Sequence, residues 1–341
     1  MGRDIQYREA IVTFVDILGF KNLLKSSDAS KIYNILQLFR FKYEKDSLSN
    51  FHHYGIDVKM DVHFFSDSVV RIKYIRDYEE NWQNTASDEV LSLAFMQTGL
   101  LEHGILVRGA CAKGLIYSDT ISNILFGPAL VEAYVMEDDS AVYPRIVLSE
   151  EVAHDCMVDM TFATQHWIKM DGLTNRKMSQ ERFGHIDENE MYNKYGWVSD
   201  AKLLGLDTTE FALESKLWYI NCLWGAAHDE IMGIKDLVIF NKNEAPEKVS
   251  GSLSFGKERL TTLVNTYLSM LSNWSMEIES IHTDERIMVK LLWNRFQLRE
   301  TIKDIYEWVE GFGLSFLLAR ELNESLAEQT SLFYKRYACD P

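Results

Sequence analysis

The spacing of apolar and polar positions divides the chain into a front part that mixes strands with helices and a back part that is helical. The first strand is predicted over 10–15, where nearly every position is apolar and β-branched residues are frequent. This composition is typical of a strand that is buried on both faces of a sheet. The strand leads into Asp16, and a helical pattern begins at Gly19 and Phe20.

The same periodicities predict the next helix and a hairpin. Apolar residues at spacings of three, four and seven indicate a helix over 32–43, and Asp28 can cap its N-terminus. Strands are predicted over 56–65 and 68–74, with a tight turn around Asp67 as the tip of the hairpin.

The front part continues with a helix, a strand, a helix and a strand. The first of these helices ends at Gly104, a strand follows over 105–116, Gly127 and Pro128 open the next helix, and the last strand is predicted over 143–148. The order β-α-α-β-β-α-β-α-β is that of a ferredoxin-like βαββαβ unit with an additional early helix. The predicted fold class is therefore α+β.

The rest of the chain has a different pattern. Residues 155–210 are predicted to be an irregular insertion, 217–223 a further strand, and the chain from about 254 onwards helical throughout. We therefore predict two domains, a ferredoxin-like domain over 1–225 and a helical C-terminal extension over 226–341.

The charge of the chain argues against two classes of partner. The formal net charge of the 341 residues is −16, whereas binding to a nucleic-acid backbone or to an anionic membrane surface needs a basic face. A nucleotide is still compatible with this charge, because bound divalent cations reverse the local sign. We expect neither nucleic acid nor a membrane as a partner.

Cysteine usage and the N-terminus predict the compartment. The four cysteines are scattered, with no C-x-x-C pair, which disfavours a zinc ribbon or a disulfide framework and is typical of a reducing cytosol. Residues 1–9 are charged rather than apolar, so no signal peptide is predicted. No run of about 18 apolar residues is present to span a bilayer. The predicted location is cytoplasmic.

Two aspartates are the candidates for metal chemistry. Asp16 ends a buried strand just before a helix that Gly19 opens, and Asp67 occupies a hairpin tip that the ferredoxin-like topology puts beside that strand. Two such carboxylates can hold two Mg²⁺ or Mn²⁺ ions about 3.5–4 Å apart, and backbone N–H groups at the helix start can bind a polyphosphate. Taken singly, each aspartate can equally be an N-cap or a turn residue. In combination, each next to an apolar strand, they favour a metal site.

Three segments resemble the class III adenylate and guanylate cyclases. Segment 14–20, F-V-D-I-L-G-F, looks like the F-x-D-I-x-G-F motif of that family, and segment 65–70 is similar to its second metal segment. Segment 108–127 resembles the strand–turn–strand that leads into the dimer-interface helix. The resemblance covers residues 8–150.

More narrowly, the chain resembles the Pycsar pyrimidine cyclases of bacterial antiphage defence. The residues that carry this likeness are the two metal segments, the strand around Arg108, segment 126–134 (F-G-P-A-L-V-E-A-Y) and segment 143–146 (Y-P-R-I). The resemblance implies that UTP, or CTP, is converted to the 3′,5′-cyclic monophosphate and pyrophosphate. It also implies that the product is a second messenger that acts on a separate effector protein in defence against phage.

The resemblance also implies a set of ligands and an assembly. Two divalent metal ions, Mg²⁺ or Mn²⁺, and the triphosphate would be held near the end of the first strand. The implied metal ligands are Asp16, Asp67 and the backbone carbonyl of Ile17, and the implied phosphate-binding residues are Leu18, Gly19 and Phe20. In class III cyclases each active site is shared by two subunits, so a homodimer with two symmetric sites is expected.

Further candidates come from charge and strand position. Arg108 and Arg145 are the candidates for stabilising the transferring phosphate, since an arginine fork matches phosphate oxygens. Each can equally be an arginine at the rim of a strand. Asp61, His63 and Tyr134 are the candidates for contacting the base, although a lone strand histidine is commonly a hydrogen-bonded core or rim residue and Tyr134 can instead hold the dimer together.

The chain departs from the purine cyclases at positions that matter. Counting from Gly127, Val131 and Val135 stand where the resemblance implies the Asn and Arg that stabilise the transition state. Ile124 stands where those enzymes read adenine, and Asp61 replaces their Lys or Glu. Either the base is different or catalysis is lost, and the intact aspartate pair favours a different base.

Two alternatives stay open at this point. A catalytically inactive module of the same fold would sense nucleotides or pair with a partner, and the missing Asn and Arg support it. A palm-fold polymerase or a diguanylate cyclase would join nucleotides in trans. The latter carries a G-G-D/E-E-F hairpin, where this chain has F-S-D-S.

Overall fold

The computed structural model describes eight stretches of the chain, and every structural statement below concerns them. They are residues 5–40, 60–75, 85–141, 143–158, 168–170, 217–241, 246–280 and 285–312. The chain divides into two units. The first comprises Met1–Lys177 and Glu214–Cys222, and the second comprises Met178–Leu213 and Leu223–Pro341.

The first unit is built on four antiparallel strands in a ferredoxin-like order. The strands are β1 (Arg8–Ile17), β2 (Met60–Phe65), β3 (Ser68–Tyr74) and β4 (Val107–Asp119). They lie in the order β2-β3-β1-β4, and each neighbouring pair is antiparallel.

Three helices connect these strands. α1 (Phe20–Ser26) and α2 (Ala29–Leu38) join β1 to β2, and α3 (Thr85–Glu102) joins β3 to β4. The N-cap of α2 is Asp28, whose carboxylate accepts from the backbone N–H of Lys31 (2.7 Å), as predicted. The α+β fold class and the βαββαβ unit with its extra early helix are thereby confirmed.

Four short strands and two helices complete the described part of the first unit. β5 (Ile124–Phe126) folds back on the end of β4, α4 (Pro128–Ser140) follows it, and β6 (Ile146–Leu148) lies parallel to β4. After α5 (Glu150–Val158), β7 (Ile168–Met170) and β8 (Trp218–Ile220) extend the sheet beyond β6, each antiparallel to its neighbour.

Several of the short elements differ from the predictions. The strand predicted over 143–148 is limited to Ile146–Leu148, and β5 was expected only from the resemblance of segment 108–127 to a strand–turn–strand. β7 lies within 155–210, which was predicted to be irregular; most of that segment lies outside the described residues. Three residues are too few to display a period of two, which is why β7 was missed, whereas β8, of the same length, lies within the strand predicted over 217–223.

One face of the sheet is covered by α4. The core between this face and α4 consists of Ala10, Val12, Val70, Ile72, Tyr74 and Ile116 from the strands and Ala129 from the helix. The helix approaches β4 closely at Gly127, where a Cβ would lie 2.5 Å from the carbonyl oxygen of Leu115 and 2.7 Å from Cα of Ile116. Glycine at this position is therefore what allows α4 to lie directly on the sheet.

The opposite face carries a buried ion pair. Arg71 on β3 donates to the Glu89 carboxylate on α3 through Nε (2.7 Å) and Nη2 (2.9 Å), and to the carbonyl oxygen of Phe39 after α2 (2.6 Å). Burial by itself raises the pKa of Glu89, but the charge and hydrogen bonds of Arg71, with Lys73 and Thr13, outweigh it and lower that pKa. The network ties α2 and α3 to the back of β1 and β3.

The described part of the second unit is helical. It consists of α6 (Cys222–Asn241), whose first residue belongs to the first unit, α7 (Pro246–Ser280) and α8 (Glu285–Gly311). Tyr267 on α7 donates its hydroxyl to the carbonyl oxygen of Leu223 on α6 (2.8 Å). A helical C-terminal extension is thus confirmed as far as the described residues reach, whereas the boundary at 225 stays a prediction. None of the described helices has the combination of length and apolarity that crossing a lipid bilayer requires.

Candidate functional site

Asp16 lies at the end of β1 between two neighbouring strands. In the strand register it is opposite Ser68 on β3 and opposite Arg108 on β4. Residues that pair directly across antiparallel strands share a face of the sheet. Asp16 and Arg108 therefore stand on the same face, the one that α4 covers.

The backbone just after Asp16 is held on both sides. The N–H of Ile17 donates to the carbonyl oxygen of Asp67 (2.9 Å), and the N–H of Leu18 donates to the carbonyl oxygen of Leu106 (2.9 Å). The first of these bonds joins the two predicted metal aspartates through the main chain. Asp16 and Asp67 are thus brought to the same end of neighbouring strands, 51 residues apart in the numbering of the sequence.

The turn that carries Asp67 is a two-residue hairpin loop with a constrained backbone. Ser66 has φ of 60°, whereas φ of Asp67 is negative. Positive φ at the first loop position alone is the pattern of a type II′ turn, which ordinarily places glycine there. A serine in this conformation costs about 1 kcal/mol or more, and such strain is commonly retained at functional sites.

Arg108 links β4 to two carboxylates. Its Nε–H donates to Oδ2 of Asp16 (3.3 Å), and the same Nε lies 2.7 Å from Oε1 of Glu137 on α4. The contact with Asp16 has the angle of a hydrogen bond, whereas the closer contact with Glu137 is an ion pair. The side chains of Arg108 and Asp16 are 25% and 20% exposed, and that of Glu137 is 4% exposed.

Glu137 is a site residue that the sequence analysis did not identify. It is one of the three buried residues of α4, with Ala129 and Ala133, at intervals of four. In the sequence, Glu137 follows Ala129 and Ala133 at the same spacing of four. An acidic residue on the buried side of a helix would have identified it. Its carboxylate brings a further negative charge to the cluster of Asp16 and Arg108.

The donor set fits a divalent cation. Carboxylate and carbonyl oxygens are the ligands that Mg²⁺ and Mn²⁺ prefer, and Mg²⁺ is commonly held by one or two carboxylates plus substrate phosphates. Asp16, Asp67 and the Ile17 carbonyl provide this chemistry. The part of the chain that the structure describes contains no group of three or more His, Cys, Asp or Glu arranged to hold a metal ion.

The predicted phosphate-binding segment forms the entry to α1. Gly19 is the N-cap residue and has φ of 75°, a left-handed conformation that favours glycine, and Phe20 is the first helical residue. Because the N–H of Leu18 is bonded to Leu106, the amides that can turn to a phosphate begin at Gly19.

Asp61 and His63, two of the predicted base-contacting residues, belong to one polar chain. The Tyr74 and Ser118 hydroxyls both donate to Oδ2 of Asp61, at 2.7 and 3.0 Å. Nε2 of His63 lies 2.9 Å from Oγ of Ser118, and its Nδ1 lies 3.4 Å from Oδ1 of Asn123. Burial and Asp61 together raise the pKa of Tyr74 to about 12, so its phenol remains a donor near neutral pH.

Ser118 has a single hydroxyl proton, which sets the direction of the hydrogen bonds between Asp61, Ser118 and His63. Since Ser118 donates to Asp61, it accepts from His63, and Nε2 of His63 therefore carries a proton. Asp61 receives hydrogen bonds as a carboxylate and is an acceptor toward any ligand. Strand β2 is thereby joined to the hairpin of β4 and β5, which supplies Ser118 and Asn123.

Tyr134, the third base candidate, lies on α4. Its ring packs edge-on against Phe14 of β1 at 5.4 Å between centroids, and 53% of the residue is exposed. Phe14 pairs with Val70, and Val70 pairs with His63, so the three residues share the α4 face with Tyr134. The structure does not describe a contact between Tyr134 and the Asp61 chain.

Arg145, the second candidate for phosphate stabilisation, is in the interior. It is 1% exposed, and its guanidinium lies over the rings of Tyr143 (5.3 Å) and Tyr219 (5.1 Å). Arg145 is therefore less accessible than Arg108, which contacts Asp16, and its role in phosphate stabilisation stays a prediction.

The outward side of α4 and the neighbouring hairpin are apolar. Their exposed large hydrophobic residues are Leu115, Ile121, Ile124, Phe126, Val131, Tyr134 and Val135. Clustered exposed apolar residues of this kind mark interaction surfaces. Val131 and Val135 are part of this surface.

Solved structures that are similar to the chain include guanylyl cyclase domains. One is the monomeric guanylyl cyclase domain of the RhoGC fusion protein from the aquatic fungus Blastocladiella emersonii, with 16% identity and a TM-score of 0.33, over 50% of this chain and 92% of that chain. Another is the catalytic core of a rhodopsin-guanylyl cyclase with converted specificity in complex with ATPαS, with 15% identity and a TM-score of 0.33, over 49% and 87%. No protein family matches the sequence, and no curated protein matches it.

Proposed function

We propose that the chain is a metal-dependent nucleotidyl cyclase, which converts a nucleoside triphosphate to the 3′,5′-cyclic monophosphate and pyrophosphate. The observation that carries the proposal is the joint position of Asp16 and Asp67, tied together by the hydrogen bond from Ile17 to Asp67. Arg108, in contact with Asp16, adds a positive charge beside the same strand end.

The chemistry is an intramolecular displacement at phosphorus. The ribose 3′-oxygen forms a bond to the α-phosphorus, the bond from that phosphorus to the leaving pyrophosphate breaks, and the hydroxyl proton passes to solvent. Two divalent cations held by Asp16, Asp67 and the Ile17 carbonyl would acidify the hydroxyl and neutralise the leaving group. Arg108 stabilises the charge that develops on the phosphate oxygens, and the amides of Gly19 and Phe20 bind the polyphosphate.

The substrate that we propose is a pyrimidine nucleotide, UTP before CTP. In support, Ile124 and Asp61 depart from the purine-reading pattern, and Tyr74 and Ser118 keep Asp61 in the role of an acceptor. An acceptor suits the N3–H of uracil and also the amino group of cytosine, so the preference for UTP follows from the resemblance alone.

The assembly that we propose is a homodimer in which α4 and the β4–β5 hairpin face the partner. The exposed apolar side chains Val131, Tyr134 and Val135 support it, because a lone helix gains nothing from exposing them. In that arrangement Tyr134 would reach the nucleotide of the partner subunit. The product would act in the cytoplasm as a messenger for a separate effector in antiphage defence, which rests on the resemblance alone.

Product identification tests the activity directly. The full chain is incubated with ATP, GTP, CTP and UTP in Mn²⁺, and the products are identified by mass spectrometry. We expect a cyclic pyrimidine monophosphate from the wild type and loss of product in Asp16→Ala and in Asp67→Ala. The matched control is Asp236→Ala, which removes an exposed carboxylate from α6 and should leave the product unchanged. No cyclic product from any triphosphate would contradict the proposal.

A second candidate is a cyclase-like module without catalytic activity. The observation that favours it is that Val131 and Val135, and not an Asn and Arg, project from α4. It predicts nucleotide binding without turnover. Binding of a triphosphate in Mn²⁺, measured by calorimetry, together with absence of every cyclic product would favour this candidate over the enzyme.

A further inference from the structure

We infer that Glu137 is the positioning residue that keeps Arg108 beside the site when a divalent cation takes the carboxylate of Asp16. The inference deepens the proposed function and rests on it, because it treats Asp16 as a metal ligand. It starts from a single nitrogen, Nε of Arg108, which is within ion-pair distance of both carboxylates.

The two contacts of Arg108 differ in kind. The Nε–H is directed at Asp16, which accepts over 3.3 Å, whereas Oε1 of Glu137 is closer to the same nitrogen, at 2.7 Å. A cation on Asp16 would compete with the hydrogen bond and repel the guanidinium. The oxygen of Glu137 is already at hydrogen-bond distance, so the arginine can keep a partner without leaving the site.

Burial makes Glu137 the firmer of the two partners. Its side chain is 4% exposed, against 20% for Asp16. Opposite charges attract more strongly where water is excluded, and a buried carboxylate that loses its partner is costly. The pair of Glu137 and Arg108 is therefore expected to persist when the more exposed contact with Asp16 is given up.

The part of α4 below Glu137 lies close against the sheet. Ala129 and Ala133 are buried on the same side of the helix. At the start of the helix, a Cβ on Gly127 would lie 2.5 Å from the carbonyl oxygen of Leu115, and a Cβ on Gly114 would lie 3.4 Å from the Cβ of Ala129. This close packing places Glu137 beside β4, which carries Arg108, and it limits where the guanidinium can move.

In this arrangement Arg108 and the cation compete for the carboxylate of Asp16. The ion pair with Glu137 lowers the tendency of Arg108 to stay on Asp16. Without the Glu137 charge, Arg108 has Asp16 as its carboxylate partner at the site and is harder to displace. The loss of Glu137 should therefore weaken cation binding through Arg108. The loss of Arg108 should strengthen it.

Binding of Mn²⁺ alone to the full chain tests the inference without any turnover. Free Mn²⁺ is followed by electron paramagnetic resonance for the wild type, Asp16→Asn, Arg108→Ala, Glu137→Gln and the double variant Arg108→Ala/Glu137→Gln. We expect about three- to tenfold weaker binding in Glu137→Gln and about three- to tenfold tighter binding in Arg108→Ala, as is usual for residues in direct contact. In the Arg108→Ala background, Glu137→Gln should change the affinity by less than about twofold.

The double variant separates positioning from simple charge. If Glu137 acts on the cation directly, its removal weakens binding equally with or without Arg108, and the inference is overturned. The variant Glu137→Asp keeps the charge but shortens the side chain, so it should resemble Glu137→Gln if reach to Arg108 matters. It also serves as the second variant if Glu137→Gln melts at a lower temperature than the wild type.

Failure of the proposed function has a different signature. If Asp16→Asn leaves the Mn²⁺ affinity unchanged, Asp16 is not a metal ligand, and both the proposed metal role and the inference fall. If Asp16→Asn weakens binding but Glu137→Gln acts identically in both backgrounds, only the inference falls. If the cycle behaves as expected and no cyclic product forms, the role of Glu137 stands and the cyclase activity does not.

Discussion

Arg108 on β4 lies directly opposite Asp16 on β1, and its Nε–H donates to Oδ2 of Asp16 over 3.3 Å. Ninety-two positions separate the two residues along the chain, so strand register alone brings them together. Under the proposed function, a cation and Arg108 would share the carboxylate of Asp16. Changes at either residue are expected to alter metal binding and phosphate binding together.

Replacing Arg108 by lysine tests whether the guanidinium has a role that charge alone does not fill. A lysine ammonium is a point charge and does not reproduce the planar fork that matches phosphate oxygens. We expect kcat for cyclisation to fall about 10²-fold, as for loss of one preorganised donor. The measurement is initial-rate kinetics with Mn²⁺, and the control is Arg259→Lys in the helical extension. Wild-type kcat in Arg108→Lys would contradict the role.

Replacing Asp61 by asparagine tests base selection. The change turns an acceptor that Tyr74 and Ser118 bond into a group that can also donate. We expect the ratio of kcat/KM for UTP to that for CTP to change by about tenfold or more, since a mismatched buried polar group is strongly disfavoured. Competition assays with both nucleotides measure it, with Asp119→Asn, whose carboxylate accepts from Ile121 and Ser122 in the β4–β5 turn, as control. An unchanged ratio would remove Asp61 from the base site.

Introducing charge on α4 tests the dimer. Val131 and Val135 are 62% and 47% exposed, and glutamate at both positions would put like charges into the proposed interface. We expect the mass in solution to fall from that of a dimer to that of a monomer, with loss of cyclase activity. Size-exclusion chromatography with light scattering measures the mass. Val158→Glu, an exposed valine on α5, should leave it unchanged, and a monomeric wild type would refute the assembly.

A methyl group at Gly127 tests the close packing of α4. A Cβ there would lie 2.5 Å from the Leu115 carbonyl oxygen, and φ is 159°, so we expect Gly127→Ala to reduce the free energy of unfolding by about 2 kcal/mol or more. The control is Gly99→Ala in α3, where nothing lies within 4 Å; there we expect a gain of about 0.5–1 kcal/mol from helix propensity. Urea unfolding measures both, and equal effects would be inconsistent with the packing.

The pH dependence of stability tests the buried pair of Arg71 and Glu89. The pKa of Glu89 is lowered below its ordinary value of 4.5 in the folded chain. The carboxylate therefore contributes stability at pH above that value, and the contribution is lost as the pH falls through the lower folded-state pKa. We expect Glu89→Gln to be less stable than the wild type at pH 7, with the gap narrowing below about pH 4.5. A gap that is independent of pH in urea titrations would contradict the lowered pKa.

Removing Arg71 should reduce the free energy of unfolding more than removing Glu89. Arg71→Met leaves a buried carboxylate without its strongest partner, and we expect a loss of about 3–5 kcal/mol at pH 7. Replacing both residues by apolar or neutral ones should recover part of that loss.

The sequence alone was sufficient to predict the strands of the ferredoxin-like unit and the positions of Asp16 and Asp67. The period-two pattern of strands and the 3.6-residue pattern of helices are local, so they are visible without knowledge of which elements pack together. Asp16 follows a continuous apolar run, and Asp67 lies between two strands in a turn too short to be anything but a hairpin. The three-residue strand β7 was missed because its pattern is too short, and β5 was expected only from the strand–turn–strand resemblance.

Only the tertiary structure decided the surroundings of the candidate site. Glu137 contacts Arg108. Ser118 links Asp61 to His63, and Asn123 lies at the other ring nitrogen of His63. Arg145 is buried against Tyr143 and Tyr219. These relations depend on register between strands and on the seating of α4, both set by packing between segments far apart in sequence. Local periodicity reports which side of an element is apolar, and it carries no information about which distant charge that side will meet.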